Sequence, residues 1–176
     1  TACFFQYDKG GIVEEGCGRG PGFLRYNPGT DRWTMLPSPF SPETRSPYAG
    51  GVIGGKFYVM GGTVGTYAGW LRVYDPATNH WTTKNGLGQT RPGAATAVLK
   101  SKLYVMGGQR YNAARKVWET LDKTIVYDPV TNAWTWRASL PSPRAGVAGS
   151  TVVRNGQARI EVVGGSRPGN NLQYIP

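Results

Sequence analysis

The sequence predicts an all-β protein built from a repeated four-stranded antiparallel unit. Three observations support this. An eight-residue segment that begins with Tyr and ends with Trp, here called the octet, occurs three times. An apolar run that ends in a glycine pair precedes it, and turn-forming residues are abundant. The 176 residues include 26 Gly and 13 Pro, too many for a helical bundle, while 39% hydrophobic residues suffice for a core. Many short strands joined by tight turns fit this composition.

The repeated octet predicts the outer hairpin of each unit, between strands three and four. Its copies are YNPGTDRW at 26–33, YDPATNHW at 74–81 and YDPVTNAW at 127–134. Asp or Asn next to Pro favours a turn, because the side chain bonds the following backbone and Pro presets φ. The later Asp or Asn tolerates a left-handed conformation. We expect Tyr and Trp to fill the space between neighbouring sheets.

Strands one and two lie upstream of the octets at 74–81 and 127–134, whereas the first unit begins at strand two. A run of small residues opened by an Arg predicts strand one, and an apolar run ending in Gly-Gly predicts strand two. The glycines suit a position where a Cβ would collide with a neighbour. In the last unit the Arg and the glycine pair are farther apart, and RNGQA at 154–158 is predicted to lengthen the turn.

Repeats of about 50 residues with a glycine pair, then Tyr, then Trp, resemble kelch repeats. The resemblance implies a β-propeller, in which each repeat is one blade around a central channel. We therefore expect a partial kelch β-propeller of about four four-stranded antiparallel blades, the first and last incomplete, with residues 1–176 as a single segment. The segment is expected to be an excerpt of a larger propeller, its other blades coming from the same or another chain. The blades are placed at about 1–36, 45–84, 91–138 and 144–176.

One face of such a fold is predicted to carry the binding loops. Antiparallel strands alternate in direction, so the connections from strand two to three and from strand four to the next strand one emerge together. These connections vary in length and sequence, whereas the turns on the opposite face are short and alike. Variable loops on a repeated scaffold indicate the binding side. They lie at 37–45, 63–70, 84–91 and 109–123.

The Arg that opens each strand one is the first candidate for binding. Kelch proteins that recognise acidic peptides contact the ligand with arginines at this position, so the resemblance implies that Arg45, Arg91 and Arg144 hold a carboxylate-bearing partner. The alternative is that they bond backbone carbonyls between blades and touch no ligand. Repetition in every unit favours this alternative, since binding sites are usually asymmetric.

The connection at 109–123 is the second candidate, because it places aromatic residues beside cations. The alternative is a long hairpin whose Trp simply covers the edge of the blade. Two aromatic residues in the equivalent loop of the preceding repeat support binding. The candidate residues are Arg110, Tyr111, Arg115 and Trp118, with Tyr67 and Trp70 in the equivalent loop.

These observations predict a binding module for a protein or peptide, with an acidic partner favoured by the net charge of +10. The alternatives are a kelch-type enzyme acting on a carboxylate-bearing sugar, similar to mutarotases and epimerases, and a structural role in a larger assembly. We predict no catalytic residue, metal or cofactor. The single histidine, His80, is expected in a solvated turn on the opposite face.

Other partners are not favoured by the sequence. The basic residues are dispersed, without the Lys/Arg block of a nucleic-acid-binding arm, so nucleic acid is not predicted as a partner. No run of 18 apolar residues is present, which predicts no membrane span. Cys3 and Cys17 match no zinc-site spacing. Whether they pair, and in which compartment the protein works, the sequence leaves open.

Overall fold

The computed structural model describes residues 6–8, 11–13, 23–36, 47–62, 69–165 and 172–174. These residues form 17 strands and no helix, which confirms the prediction of an all-β fold. The chain divides into two compact units, Thr1–Arg45 and Ser46–Pro176, which are taken separately below. That residues 1–176 act as one propeller segment stays a prediction.

In its described residues, the first unit contains two hairpins. One pairs β1 (Gln6–Asp8) with β2 (Gly11–Val13), and the other pairs β3 (Phe23–Asn27) with β4 (Arg32–Leu36). The sequence predicted that the first apolar run would be strand two of a blade with the octet hairpin. Among the described residues, this run instead pairs with Gly11–Val13, a strand that begins at the second glycine of its own glycine pair.

The second unit contains three larger sheets, numbered by the repeat they come from. Sheet 2 has the order β5-β6-β7-β8, sheet 3 the order β14-β13-β10-β9 and sheet 4 the order β15-β16-β17. Between β10 and β13 the chain forms a separate hairpin of β11 and β12. Sheet 2 comprises β5 (Pro47–Ile53), β6 (Lys56–Gly61), β7 (Trp70–Asp75) and β8 (His80–Lys84). Sheet 3 comprises β9 (Ala94–Leu99), β10 (Lys102–Gly107), β13 (Thr124–Asp128) and β14 (Ala133–Arg137). The hairpin comprises β11 (Gln109–Asn112) and β12 (Val117–Thr120), and sheet 4 comprises β15 (Val147–Arg154), β16 (Gln157–Gly164) and β17 (Leu172–Tyr174).

The octets form hairpins with one repeated geometry. In sheet 3, Tyr127 lies directly opposite Trp134, with ring centroids 5.1 Å apart. The Tyr127 hydroxyl donates a 2.6 Å hydrogen bond to Oδ1 of Asn132, whose φ of 53° is left-handed. The carboxylate of Asp128 accepts the Val130 N–H, which starts the turn. The same ring pair and hydroxyl bond occur at Tyr26, Trp33 and Asp31, and at Tyr74, Trp81 and Asn79.

Sheet 3 is buried on both faces, which explains the uninterrupted apolar run in LYVM. Alternate residues of a strand point to opposite faces. Leu103 and Val105 therefore pack with Met60 and Leu71 of sheet 2. Tyr104 and Met106 pack on the other side, in a cluster that includes residues of sheet 4 such as Ile160.

Neighbouring sheets are also joined by hydrogen bonds between their first strands. The Thr96 hydroxyl donates to the carbonyl of Gly50 at 2.9 Å, and the Thr151 hydroxyl donates to the carbonyl of Val98 at 2.6 Å. These bonds place β9 beside β5 and β15 beside β9. Sheets 2, 3 and 4 are therefore packed face to face in sequence order.

The extra residues of the last repeat lengthen its strands and not its turn, contrary to the prediction for 154–158. β15 and β16 have eight residues each, while β9 and β10 have six. The turn between β15 and β16 is Asn155-Gly156, with φ values of 51° and 73°. This is the same two-residue length as the equivalent turns at 54–55 and 100–101. A two-residue turn with two positive φ values matches the right-handed twist of the paired strands. The turn therefore has the same length in all three repeats, and the extra residues of the last repeat belong to its strands.

The turn at 100–101 is strained and predicts a stabilising substitution. Lys100 and Ser101 have φ values of 51° and 56°, whereas Gly54 and Gly55 occupy the equivalent turn of sheet 2. Because glycine adopts this conformation without a Cβ penalty, we expect Ser101→Gly to raise the free energy of unfolding by about 1 kcal/mol. Urea denaturation measures this change. The matched control is Gly55→Ala, where a Cβ meets no atom within 4 Å, so only backbone strain lowers the stability. Equal stabilities of Ser101→Gly and wild type would contradict the turn assignment.

Candidate functional site

The predicted binding loop at 109–123 is largely the hairpin β11–β12, which agrees in form with the hairpin alternative. Its strands pair Gln109 with Thr120 and Asn112 with Val117, and its turn contains Lys116 with a φ of 54°. The hairpin replaces a simple connection between β10 and β13. It therefore stands at the end of sheet 3 that carries the connection from strand two (β10) to strand three (β13).

One face of the hairpin is aromatic. Tyr111 and Trp118 lie directly opposite each other, and their ring centroids are 5.5 Å apart with a 58° tilt. Both remain exposed, at 42% and 46%. Tilted aromatic pairs across a strand pair stabilise each other and fix each other's orientation. The hairpin thus presents two large rings to solvent in a fixed arrangement.

The other face of the hairpin centres on Glu119 and carries, beside its polar groups, the exposed Val117 opposite Asn112. Arg110 donates to its Oε2 at 2.8 Å, Asn112 donates to its Oε1 at 2.6 Å, and Arg115 Nη1 lies 3.6 Å from Oε1. The hydrogen bond from Arg110, followed by that from Asn112, lowers the pKa of Glu119 below its ordinary value. The sequence analysis did not include Glu119 among the candidate residues of this loop. The signal was available, since Arg110 and Glu119 become cross-strand partners once a hairpin is assumed.

The structure therefore separates the residues that the sequence had grouped. Tyr111 and Trp118 lie on one side of the hairpin, while Arg110 shares the other side with Glu119. Alternation of side chains along each strand causes this separation. With Lys116 at the turn, the polar side and the tip carry three cations and one carboxylate. The hairpin keeps a net positive charge.

Arg91 is buried beneath this region, with only 1% of its surface exposed. Its Nη1 donates to the carbonyl of Gly107 at 3.2 Å and to the carbonyl of Lys123 at 3.0 Å. The guanidinium also lies 5.5 Å from the ring centre of Trp136. Both carbonyls belong to the same repeat as Arg91, so these bonds lie within one repeat, whereas the alternative to ligand binding placed them between blades. Binding of a carboxylate by Arg91 stays a prediction.

Arg144 occupies the equivalent position of the last repeat and is also buried. Its Nη1 donates to the carbonyl of Gly164 at 3.2 Å, as Arg91 does to Gly107. Its backbone joins two repeats: the carbonyl accepts the Gly108 N–H at 2.8 Å, and its N–H donates to the carbonyl of Leu121 at 3.0 Å. Arg144 thus links sheet 4 to the base of the hairpin β11–β12.

The base of the hairpin is closed by further backbone bonds. Leu121 donates to the carbonyl of Gly108 at 2.9 Å, and Gln109 donates to the carbonyl of Pro92 at 2.9 Å. Gly108 has a φ of 84°, and a Cβ there would lie 2.9 Å from the Cβ of Ala94. The second glycine of the pair is therefore required for this close approach. These bonds fix the two chain segments at the base of the hairpin, residues 107–109 and 121–123, which we call the neck.

The remaining candidates have different outcomes. Arg45 and Tyr67 lie outside the described residues, as do Cys3 and Cys17. Trp70 is partly buried at the start of β7, where its ring covers Gly61, and the Arg72 guanidinium lies 5.3 Å from its ring centre. A Cβ at Gly61 would collide with that ring. Trp70 therefore packs against its own sheet.

Trp136 is an aromatic residue of this region that the sequence analysis did not single out. It lies on β14, two positions after the octet Trp, and 53% of its surface is exposed. The equivalent residue of sheet 2 is Thr83, so comparison of the repeats would have marked it as a departure. Its exposed ring covers Arg91.

Other chemistry is limited in the described part of the chain. His80 is exposed and begins β8 opposite Asp75, in the octet turn at the other end of sheet 2. Within the residues described here, no three His, Cys, Asp or Glu side chains are grouped so as to hold a metal ion. These residues also include no helix long and apolar enough to cross a membrane.

Comparison with known proteins identifies the repeats. The family model described as Kelch motif matches residues 44–88 and 90–141. Kelch-like protein 35 of Homo sapiens is 30% identical over 90% of this chain, and Kelch-like protein terF of Aspergillus terreus is 31% identical over 83%. The chain spans 26% and 32% of the lengths of these two relatives. A solved structure of YjhT covers 68% of this chain and 35% of its own, with a TM-score of 0.51 and 28% identity. Together with the stacked sheets, these matches support a partial kelch β-propeller.

The contacts of Arg91 predict a structural cost for its removal. Arg91→Met keeps much of the apolar stem but removes the guanidinium that donates to the carbonyls of Gly107 and Lys123, of which the Lys123 carbonyl keeps the Gly107 N–H. We expect the free energy of unfolding to fall by about 3 kcal/mol, as is typical when a buried charged donor is lost. Urea denaturation measures the change. Arg137→Met, at an exposed position of β14, is the control and should change stability by less than about 0.5 kcal/mol. Equal stability of both variants would contradict the scaffold role of Arg91.

Proposed function

The chain belongs to the kelch-repeat family, and from that membership we propose that it is a binding module for a protein or peptide partner. Kelch repeats are typically protein-interaction modules. In this proposal the hairpin β11–β12 is the main contact surface, and the connections at 85–93 and 138–146 flank it. The proposal concerns this part of the chain, because the relatives extend well beyond it.

The observation that carries the proposal is the exposed pair of Tyr111 and Trp118. Tyr and Trp are enriched among residues that dominate binding energy, because they bury a large area at a small cost in conformational entropy. Here that entropy is already reduced, since the two rings pack on each other across a hairpin with a fixed neck. Exposed rings held in this way cost little to order when a partner covers them.

The charge of the hairpin supports an acidic partner. Arg115 is largely exposed and lies 3.6 Å from Glu119, which is a loose ion pair. A carboxylate of the partner can approach Arg115 or Lys116 without displacing the shorter bond between Arg110 and Glu119. Charge complementarity of this kind mainly increases the association rate and the specificity.

The proposed site therefore contains two sets of residues, one that contacts the partner and one that positions the hairpin. Tyr111, Trp118 and the exposed cations contact the partner, while Arg91 and Arg144 hold the backbone that positions the hairpin. The direct carboxylate contact predicted for Arg45, Arg91 and Arg144 stays a prediction. No observation in the described residues favours the alternative of an enzyme acting on a sugar acid.

The proposed site predicts the effect of removing one ring. Peptides of 12 random residues displayed on phage are selected on the wild-type protein, and the dissociation constant of the selected peptides is measured by fluorescence polarisation. We expect Trp118→Ser to raise the dissociation constant at least about tenfold, the usual effect of losing an aromatic anchor. Peptides selected on wild type are expected to be enriched in Asp and Glu.

The control for this experiment is Val130→Ser. Val130 is 91% exposed in the turn between β13 and β14, at the other end of sheet 3. We expect its peptide affinity and melting temperature to equal those of wild type. Selected peptides that bind Trp118→Ser as tightly as wild type would contradict the proposed site.

A further inference from the structure

One side of the hairpin β3–β4 in the first unit is polar. The octet Tyr and Trp lie opposite each other and occupy the other side. Arg25 lies opposite Thr34. Two residues along, Asn27 lies opposite Arg32, so that all four side chains share the polar side. Arg25 and Arg32 are diagonal neighbours there, with Cβ atoms about 7 Å apart, close enough for both guanidinium groups to reach one anion.

The polar side borders an open cavity of about 710 Å³. Its walls include both arginines, Asn27 and the hydroxyl-bearing Thr30 and Thr34. All five residues are exposed, so the cavity is accessible from solvent. Its volume lies in the range of sites that bind small molecules. The cavity therefore offers guanidinium, amide and hydroxyl donors to a group that enters from solvent.

The positive charge of this side is not balanced within the hairpin. Among the described residues, the ion pairs all join other groups than Arg25 and Arg32. Residues 23–36 contain one carboxylate, that of Asp31. Its Oδ1 accepts the Tyr26 hydroxyl at 2.6 Å, which holds it toward the side of the rings. The two arginines thus face the cavity without a carboxylate partner from the hairpin.

The other octets carry a different charge at the position of Asn27. Asp75 and Asp128 occupy it there, and each forms an ion pair with a lysine, at 2.8 Å and 2.6 Å. In all three octets this side chain starts the turn by accepting the N–H two residues on, which for Asn27 is that of Gly29 at 2.9 Å. The turn requires only an oxygen acceptor. Asn27 therefore keeps the turn and removes the negative charge.

Position 25 departs from the other repeats in the same direction. Its equivalents are Val73 and Val126, which are buried in the clusters shared with the next sheet. An arginine is costly to bury in this way unless an anion compensates its charge. On the same side of sheet 2, the strand-four residues Thr82 and His80 stay exposed. Packing against a neighbouring sheet thus leaves the outer strand of this side open.

We propose that Arg25 and Arg32 form an anion site that binds a dianionic phosphate, free or as a monoester, with the Asn27 amide and the Thr34 hydroxyl as further donors. The guanidinium fork matches the geometry of phosphate oxygens. A phosphomonoester carries a charge of about −1.5 to −2 at pH 7, which balances two arginines where a single carboxylate does not. The site lies within the first unit, so the proposal does not depend on the function proposed for the hairpin β11–β12.

An NMR titration of the full chain tests this site. The probes are inorganic phosphate and three blocked tripeptides, in which phosphoserine, phosphotyrosine or glutamate stands between two glycines. Binding is followed through the side-chain Nε–H signals of both arginines and the Thr34 amide. We expect a phosphate-bearing probe to bind at least about fivefold more tightly than the glutamate peptide, because its charge is larger. Arg25→Gln and Arg32→Gln are each expected to raise its dissociation constant at least about tenfold.

Two further variants separate this site from a general attraction of anions to a basic protein. Asn27→Asp restores the acid of the other repeats and keeps the turn. We therefore expect it to leave the melting temperature unchanged and to raise the dissociation constant at least about tenfold. Arg154→Gln removes an exposed arginine of β15 and is expected to leave the dissociation constant unchanged.

Loss of affinity in Asn27→Asp and in both arginine variants of the hairpin supports the site. Inorganic phosphate that binds as tightly as the phosphopeptides identifies a free phosphate as the ligand, and tighter phosphopeptides identify a monoester. Equal affinities in wild type, Asn27→Asp and Arg25→Gln overturn the site, as does an equal loss in Arg154→Gln. A glutamate peptide that binds as tightly as the phosphate probes, or the absence of shifts with every probe, also overturns it.

Discussion

The buried guanidinium of Arg91 is the interaction on which the binding face depends. It bonds the carbonyls of Gly107, at the end of β10, and Lys123, just before β13. These two points are the ends of the segment that contains the hairpin β11–β12. Because the same group holds both ends, the hairpin leaves the sheet from a closed neck. A charge in this position is stable only while its hydrogen bonds are kept, so the neck tolerates little change.

The repeats extend this arrangement from one sheet to the next. Arg144 bonds Gly164 as Arg91 bonds Gly107, and its backbone bonds both Gly108 and Leu121 in the neck of the preceding repeat. The octet turn of sheet 3 makes a second link, to the residue that follows β8 of the preceding repeat. Asn132 accepts the hydroxyl of its own Tyr127 and the backbone N–H of Asn85 from the preceding repeat. Sheet 3 is thus linked to sheet 2 through its octet turn and to sheet 4 through the neck of the hairpin.

The repeated parts of this structure were predictable from sequence, and the departures were less so. Tyr, Trp and the left-handed Asn of the octet determine their own hairpin through local contacts. The role of Arg91 was ambiguous, because sequence alone does not distinguish an Arg that binds a ligand carboxylate from one that binds backbone carbonyls. The burial of the side chain, which bears on this difference, is visible only in the structure. Tyr111 and Arg110 were grouped as neighbours, but strand pairing placed them on opposite faces. The extra residues of β15 and β16 were assigned to a longer turn. Which residues pair across a hairpin depends on both strands, and the sequence alone does not show where that pairing ends.

Native-state hydrogen exchange of the neck amides tests the central claim most directly. The Gly108 amide bonds Arg144 and the Arg144 amide bonds Leu121, whereas Lys116 lies in the exposed turn of the hairpin. If the neck joins the two repeats, Gly108 and Arg144 will exchange with a protection similar to that of Val105 in the core, and Lys116 will exchange rapidly. Exchange of Gly108 and Arg144 at the rate of Lys116 would show that the neck is open and would contradict the account.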